Sequence, residues 1–198
     1  WFQIVHRLSR IFTVFPGLFP DVVLSFLDQR GLTGSHRVLR SKACYYLCKL
    51  MKTVDISVKV QVGPVVQRLF ESIAPVIDSA FSSFGNAGRK GLVSEDDAIY
   101  LCEIMGNLCS LTITGGAYVV ILQQILQIVT NPLQKLLNSY QDTFQHNPAL
   151  FIKRTTQLIY AISSMVKELS AEDVLKCYQS VVPAAGTEAA ADAPSAPI

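Results

Sequence analysis

The spacing of hydrophobic residues follows the helical period along almost the whole chain, and this limits the fold more than any other feature. Only residues 56–62 alternate with the period of a β-strand, and one isolated segment cannot build a sheet. Prolines, glycines and serines divide the rest of the chain into helices separated by short breaks. The sequence therefore predicts an all-α fold.

The balance of residue types indicates how these helices are arranged. Half of the 198 residues are hydrophobic and only 16% are charged, so most helices must be buried on more than one side. Helices also recur in pairs, and the second helix of each pair starts near Ser35, Ser94 or Pro148. We therefore predict an α-solenoid of HEAT-like antiparallel helix hairpins over residues 1–182. A compact helical bundle is the alternative.

Local signals predict where several helices begin and end. Ser94 and Asp97 have the spacing of a capping box, Ser35 is a candidate N-cap, and Gly31 is a candidate left-handed C-cap. Residues 2–15 read as a single helix with one buried apolar stripe. The predicted stripe consists of Ile4, Leu8, Ile11 and Phe15.

Both ends of the chain differ from an ordinary domain boundary. Residues 183–198 include seven alanines and three prolines but no lysine or arginine, so we predict a disordered linker or tail. The chain opens within a helical pattern and without a methionine, which is the expectation for a middle piece of a longer protein.

The most apolar stretch, residues 117–137, is interrupted by glutamines, Asn131 and Pro132, so we expect no membrane insertion.

The sequence contains no pattern that is typical of a catalytic or metal site. Its histidines are not paired with cysteine or carboxylate at a useful spacing, and the acidic run Glu95, Asp96 and Asp97 suits the first turn of a helix. Most of the five cysteines lie in apolar helical patterns and read as reduced hydrophobic residues. A redox or metal role stays open because Cys44 and Cys48 are one turn apart. We expect neither an enzyme nor a bound cofactor.

Positive charge is concentrated in one part of a chain whose formal net charge is +2. Seven lysines and arginines but only one aspartate lie between Gln29 and Val60. An internal role is one interpretation, in which Asp28 pairs with Arg40 or with Arg30. The other is a phosphate-binding surface. Its candidate residues are Arg37, Arg40, Lys42 and Lys49, with Arg89 and Lys90 on a glycine-rich loop as weaker candidates.

The same region resembles the exportin-T family, the tRNA nuclear exporters of the importin-β superfamily. The family pattern has a Leu-Asp-x-Arg-Gly-Leu turn, then a helix with Val-Arg-Ser-Arg and a Tyr-Leu-Phe-x-Arg-Phe-x-Lys run. This chain has LDQRGL at 27–32, LRSK at 39–42 and YLCKLMK at 46–52. A weaker similarity follows at SEDDAIYLCEIMGNL, residues 94–108.

The resemblance implies a fold and a set of partners. The chain would be a middle segment of a HEAT-repeat export receptor that carries tRNA together with Ran-GTP, and its concave helical surface would read RNA shape and phosphates. GTP would be held by Ran and not by this chain. Nucleoporins would be further partners, the receptor would be monomeric, and it would shuttle between nucleus and cytoplasm.

Two other functions are compatible with the sequence. A HEAT-repeat scaffold that binds only proteins would pair its basic helix with acidic residues of its own. An enzyme, or an enzyme subunit, would need a catalytic cluster from outside this chain.

Overall fold

The computed structural model describes residues 1–82, 92–111 and 117–167, and within these ranges every regular element is helical. Two 3₁₀ turns, Pro16–Leu18 and Val60–Val65, connect α-helices. The α-helices are α1 Phe2–Arg7, α2 Ile11–Val14, α3 Phe19–Ser25, α4 Arg37–Thr53, α5 Ile56–Lys59, α6 Val66–Ser82, α7 Glu95–Leu111, α8 Ala117–Asn138, α9 Tyr140–His146 and α10 Pro148–Val166. The all-α prediction is confirmed.

The long helices form two layers. In one layer α7 lies between α4 and α10 and packs against both, and in the other layer α6 packs against α8. The layers are joined because α6 also packs on α7, and α8 on α10. The hairpins α6–α7 and α8–α10 therefore lie side by side, as the recurring helix pairs in the sequence predict.

Helix α7 is deeply buried along most of its described length. Every residue from 101 to 109 is buried, because α4, α6 and α10 all pack around this helix. Its largest fully buried side chains are Leu101, Ile104 and Met105. A helix that is apolar on nearly all sides belongs at the centre of a stack, and this accounts for the high hydrophobic content of the chain.

Gly106 allows α7 and α10 to approach closely. A Cβ atom at this position would lie 2.0 Å from the carbonyl oxygen of Met165 on α10. No side chain can be accommodated at that distance, so the glycine is required by the contact between the two backbones and not by an unusual backbone angle.

The predicted capping box at the start of α7 is confirmed. The Ser94 hydroxyl accepts a hydrogen bond from the Asp97 backbone N–H at 3.1 Å, and the Asp97 carboxylate accepts one from the Ser94 backbone N–H at 3.2 Å. Asn147 similarly caps α10 by accepting from the Leu150 N–H at 3.0 Å. The prediction for Ser35 is wrong, because the N-cap of α4 is His36 and no side chain caps this helix.

The prediction for the first helix is also wrong. The segment divides into α1 and α2, and the predicted stripe is exposed; its members Ile4 and Leu8 are each 57% exposed. The buried apolar positions are instead Phe2, Val5 and Phe12. The segment is apolar on two sides, and the core packs against the side other than the predicted stripe.

Two further segments differ from expectation. Residues 56–62 alternate like a strand but form a helical turn and part of a 3₁₀ turn. Gly31 has no left-handed backbone angle, and it is needed because an added Cβ would lie 1.9 Å from the Phe26 carbonyl oxygen.

The predicted tail at 183–198 and the loop that carries Arg89 and Lys90 lie outside the described residues. None of the described helices is long and apolar enough to cross a membrane.

Candidate nucleic-acid interface

Helix α4 carries the candidate phosphate-binding residues and is cationic along its whole length. It contains no aspartate or glutamate, and its buried face is formed by small and aliphatic side chains that include Ala43, Leu47 and Met51. Lys42 and Lys49 are exposed on the opposite face. They are seven residues apart, close to two helical turns, so they lie on one line along the helix.

The first turn of α4 is a second cationic feature. Arg37 is exposed there, next to His36 at the N-cap. No side chain caps the first N–H groups of this helix, and the positive end of the helix dipole lies at the same place. The combination favours a phosphate or another anion.

Lys49 is positioned by a group of tyrosines. Its Nζ atom lies 4.7 Å from the centre of the Tyr45 ring, and Tyr45 packs edge-on against Tyr100 of α7 at 5.6 Å between ring centres. A hydrogen bond with Tyr45 raises the pKa of Lys49. The lysine is thus held over an aromatic surface while its ammonium group stays exposed.

Arg40 has a different role from the other candidates. Its guanidinium donates to the carbonyl oxygens of Leu92 and Gly34, both at 2.6 Å. It therefore joins the loop before α4 to the segment before α7. Of the two alternatives for Asp28, the structure shows the pair with Arg30, whose backbone N–H donates to the carboxylate at 2.8 Å. This contact with Arg30 lowers the pKa of Asp28.

The structure brings some of the predicted residues together and not others. Lys42 and Lys49 share one exposed line, and Arg37 lies at the end of the same helix. Arg40 is on the side of α4 that faces its own fold. Arg89 and Lys90 lie in the part of the chain that is not described.

Charge alternates across the layer formed by α4, α7 and α10. All charged residues of α7 are acidic, and all those of α4 and α10 are basic. Contacts link the neighbours: Asp97 accepts from the Ser41 hydroxyl at 2.7 Å, and Glu95 lies 3.9 Å from the Lys153 ammonium. The acidic first turn of α7 thus contacts both neighbouring helices.

Glu103, which is not among the residues predicted from the sequence, lies at the centre of this charge pattern. Its side chain is 7% exposed. Its Oε1 atom lies 2.8 Å from the Nζ atom of Lys52, in the last turn of α4. The same oxygen also pairs with Lys167, which directly follows α10. The Cys48 thiol donates to Oε2 at 3.3 Å. The sequence feature that could have identified it is a glutamate within the apolar run of α7, where a buried charge needs partners.

The contacts of Glu103 lower its own pKa, whereas the pKa of its neighbour Cys48 is raised. Burial alone would raise the pKa of Glu103, but the contacts with Lys167, Lys52 and Cys48 outweigh it and lower that pKa. Burial, reinforced by the Glu103 charge, raises the pKa of Cys48 to about 12. Such a thiol stays protonated and unreactive at neutral pH.

Cys44, Cys102 and Cys109, the other described cysteines, are buried and form no disulfide bond. Burial raises the pKa of Cys44 and raises the pKa of Cys102 to about 12. Within the described ranges, no group of three or more His, Cys, Asp and Glu side chains could hold a metal ion.

The fold and this surface define a class of protein. Helical hairpins that pack side by side, with a cationic helix on one layer, are characteristic of helical-repeat proteins that bind extended partners. The family model for exportin-T matches residues 1–190. The chain belongs to the exportin-T family, which is a family of nuclear export receptors.

Individual relatives support this assignment. The chain is 26% identical to exportin-T of Homo sapiens over 200 residues, which cover 93% of this chain and 20% of that protein. It is 32% identical to exportin-T of Mus musculus over 108 residues, which cover 54% of this chain and 10% of that protein. The chain thus spans about a fifth of the length of the human relative. No solved structure matches it.

Proposed function

We propose that this chain is a segment of a nuclear export receptor that carries tRNA out of the nucleus together with Ran-GTP. The observation that supports this best is the line of exposed cations on α4, Lys42 and Lys49, together with the exposed Arg37 at the uncapped start of the same helix. The names of the relatives agree with the proposal, because exportin-T denotes an exporter.

The geometry of α4 suits recognition of folded RNA by its backbone. The major groove of an RNA helix is too deep and narrow for side chains to read, so proteins bind its phosphates and 2′-hydroxyls. Cations spread along a rigid, buried helix present fixed charges at intervals, and phosphate binding needs such charges. Tyr45 reduces the freedom of Lys49, so less side-chain entropy is lost on binding.

The proposal extends to partners outside this chain. Ran would hold the GTP, and this chain would hold no cofactor. Nucleoporins would be contacted during passage, and the receptor would shuttle as a monomer between nucleus and cytoplasm. A receptor that binds tRNA and Ran at separate repeats can couple the two, and any such coupling must be reciprocal.

The salt dependence of tRNA binding tests the role of α4. In the full receptor, the triple variant Arg37→Gln, Lys42→Gln and Lys49→Gln should bind tRNA more weakly. The slope of log affinity against log salt concentration should become shallower by about 1 for each phosphate contact that is lost. Arg40 is left unchanged, because its removal would disturb the contacts that it makes with Gly34 and Leu92.

A matched control removes the same amount of charge from other exposed positions. The variant Arg10→Gln, Arg68→Gln and Lys135→Gln loses three exposed cations outside α4 and should retain the wild-type slope. If both triple variants have the same slope as the wild type, α4 does not contact RNA.

A protein-only scaffold is the second candidate function, and one observation favours it. Part of the positive charge of α4 is already used within the fold, since Lys52 pairs with Glu103 and Arg40 binds backbone carbonyls. Partners that stay bound to the receptor after RNase treatment, and that are lost in the α4 triple variant, would support the scaffold over the RNA carrier.

A further inference from the structure

Four aromatic rings form a continuous row across the exposed face of α4. The ring of His6 on α1 lies 6.2 Å from that of Tyr46, measured between ring centres. The ring of Tyr45 lies 5.1 Å from Tyr46 and 5.6 Å from Tyr100 on α7. These four residues, His6, Tyr46, Tyr45 and Tyr100, form the ring row. All four are partly exposed, so the ring row lies at the surface and not within the core.

Two lysines of α4 flank the ring row along the helix. Residues three or four apart are neighbours on a helix surface, and both tyrosines of α4 have this spacing from both Lys42 and Lys49. The two lysines are exposed and are about 10 Å apart along the axis at 1.5 Å per residue. The surface of α4 therefore has the order cation, rings, cation.

The chemistry of this surface suits a nucleotide whose base is unpaired. A base can stack on an aromatic ring while positively charged side chains bind the phosphates beside it. In an RNA duplex the bases are stacked within the helix, and proteins bind mainly its phosphates and 2′-hydroxyls. A duplex would therefore contact the lysines of α4 and leave the rings unoccupied.

Charge complementarity favours RNA over a protein segment as the occupant. Aromatic rings also bind guanidinium groups, but α4 has no acidic residue to attract a basic peptide. Lys42 and Lys49 instead favour a polymer in which negative charges alternate with flat rings, and a single-stranded nucleic acid is such a polymer. Asp96 is exposed one turn before Tyr100 on α7, so we expect the phosphates at the lysines and not at that end of the ring row.

One tyrosine of the ring row is the best placed to stack a base. The Nζ atom of Lys49 lies over the Tyr45 ring, 4.7 Å from its centre, so that ring already has an occupant. Tyr46 is within one turn of both lysines and lies between the rings of Tyr45 and His6. Tyr45 is thus the residue that positions Lys49, and Tyr46 is the residue that a base would contact.

We propose that α4 binds an unpaired stretch of RNA, with a base stacked on Tyr46 and the neighbouring phosphates at Lys42 and Lys49. The proposal rests on the proposed function, because it requires that α4 binds RNA. It adds that the bound part of the RNA includes an unpaired base, and that a ring and not only charge contributes to the affinity.

Three labelled RNA probes separate the contribution of the bases from that of the phosphates. They are a single-stranded oligoadenosine, the same strand with abasic central positions, and a blunt-ended duplex. Each is titrated with the whole chain by fluorescence anisotropy at low salt. We expect the oligoadenosine to bind at least fivefold more tightly than its abasic version, because stacking adds to the contacts that the phosphates make in both.

Substitutions at two tyrosines locate the stacked base. Tyr46→Leu removes the ring but keeps an apolar side chain, and it should weaken oligoadenosine binding by fivefold or more while the abasic strand and the duplex bind as before. Tyr46→Phe retains the ring and should bind like the wild type. The matched control is Tyr160→Leu, at a tyrosine of α10 that is 60% exposed and lies outside the ring row. It should leave the binding of all three probes unchanged, and circular dichroism checks that each variant is folded.

Several results would overturn the proposal. These are equal binding of the oligoadenosine and its abasic version by the wild type, and equal losses in Tyr46→Leu and Tyr160→Leu. If the duplex nevertheless binds with a steep salt dependence, RNA binding by α4 stands and only base stacking is excluded. If none of the three probes binds, RNA binding by α4 fails as well. An arginine-rich peptide that displaces the oligoadenosine, and whose own affinity falls in Tyr46→Leu, would instead assign the rings to a basic protein segment.

Discussion

At the scale of single residues, charge in this chain has two separate uses. Lys42 and Lys49 point into solvent, whereas Arg40 and Glu103 hold elements of the fold together. The sequence alone does not separate these uses, because the acceptors of Arg40 are backbone carbonyls, which every residue has. The partners of Glu103 come from two other helices, and no spacing within α7 indicates them.

Glu103 should make the stability of the chain depend on pH in the acid range. Its pKa is lowered in the folded state, so its contribution to stability is complete above the unfolded value of about 4.3. That contribution is lost as the pH falls through the lower, folded value. In Glu103→Gln, the free energy of unfolding, measured by urea denaturation between about pH 5 and pH 3, should therefore fall less steeply.

A control for this experiment is Glu71→Gln, which removes an exposed carboxylate from α6. It should retain the wild-type slope. A wild-type slope in Glu103→Gln as well would mean that the ion pairs with Lys52 and Lys167 do not stabilise the folded state.

At the scale of helices, the sequence predicts a helix start when nearby side chains can cap the free backbone N–H groups there. The start of α7 was predictable because Ser94 and Asp97 have the spacing of a capping box. Which face of α1 and α2 packs against the core was not predictable, since the segment has two apolar stripes with the same helical period. Only the packing of Phe2 and Phe12 against the core decides between them.

Gly106→Ala should separate α7 from α10. The new methyl group would overlap the Met165 carbonyl oxygen, at 2.0 Å, and neither backbone can move without disturbing its own packing. We expect a loss of about 1–3 kcal/mol in the free energy of unfolding, as is typical of overpacking. Thermal or urea denaturation measures it.

The matched control is Gly63→Ala, since a Cβ at this position meets nothing within 4 Å. Its effect should stay within about 0.5 kcal/mol, as for other substitutions that create no clash. Equal stability of the two alanine variants would show that α7 and α10 do not approach as closely as described.

At the scale of the whole molecule, the acidic α7 connects the two basic helices on either side of it. Lys52 and Lys167 lie 115 positions apart in the numbering, yet both bind one carboxylate oxygen of Glu103. When one lysine is lost, the other still neutralises the buried charge. When both are lost, the charge is uncompensated, and this is costly.

A double-mutant cycle of Lys52→Met and Lys167→Met should therefore be non-additive. Methionine keeps most of the side-chain volume and removes the charge. We expect the double variant to lose more stability than the two single variants together, by about 0.5 kcal/mol or more. Chemical denaturation of the four proteins gives the value.

The comparison pair is Lys52→Met with Lys153→Met. Lys153 contacts Glu95 and not Glu103, so these two changes should be additive. Additivity in both cycles would mean that Glu103 does not couple α4 to the end of α10.

The fold class was predictable at this scale, because a helical period and repeated breaks extend over most of the sequence. The candidate interface was predictable only in part. The sequence shows that α4 contains many lysines and arginines. Which of them are exposed and which bind within the fold depends on which face of α4 packs against the core.

The alternation of charge between neighbouring helices also affects how an elongated polyanion would be oriented on the α4 surface. Packed helices lie about 8–10 Å apart, close to the distance over which physiological salt screens a charge. A rod-like polyanion that ran across the layer would pass from the cations of α4 over Glu95 and Asp96 of α7. A polyanion aligned with the axis of α4 would avoid those carboxylates, so a nucleic-acid helix bound as proposed would be favoured to lie parallel to α4.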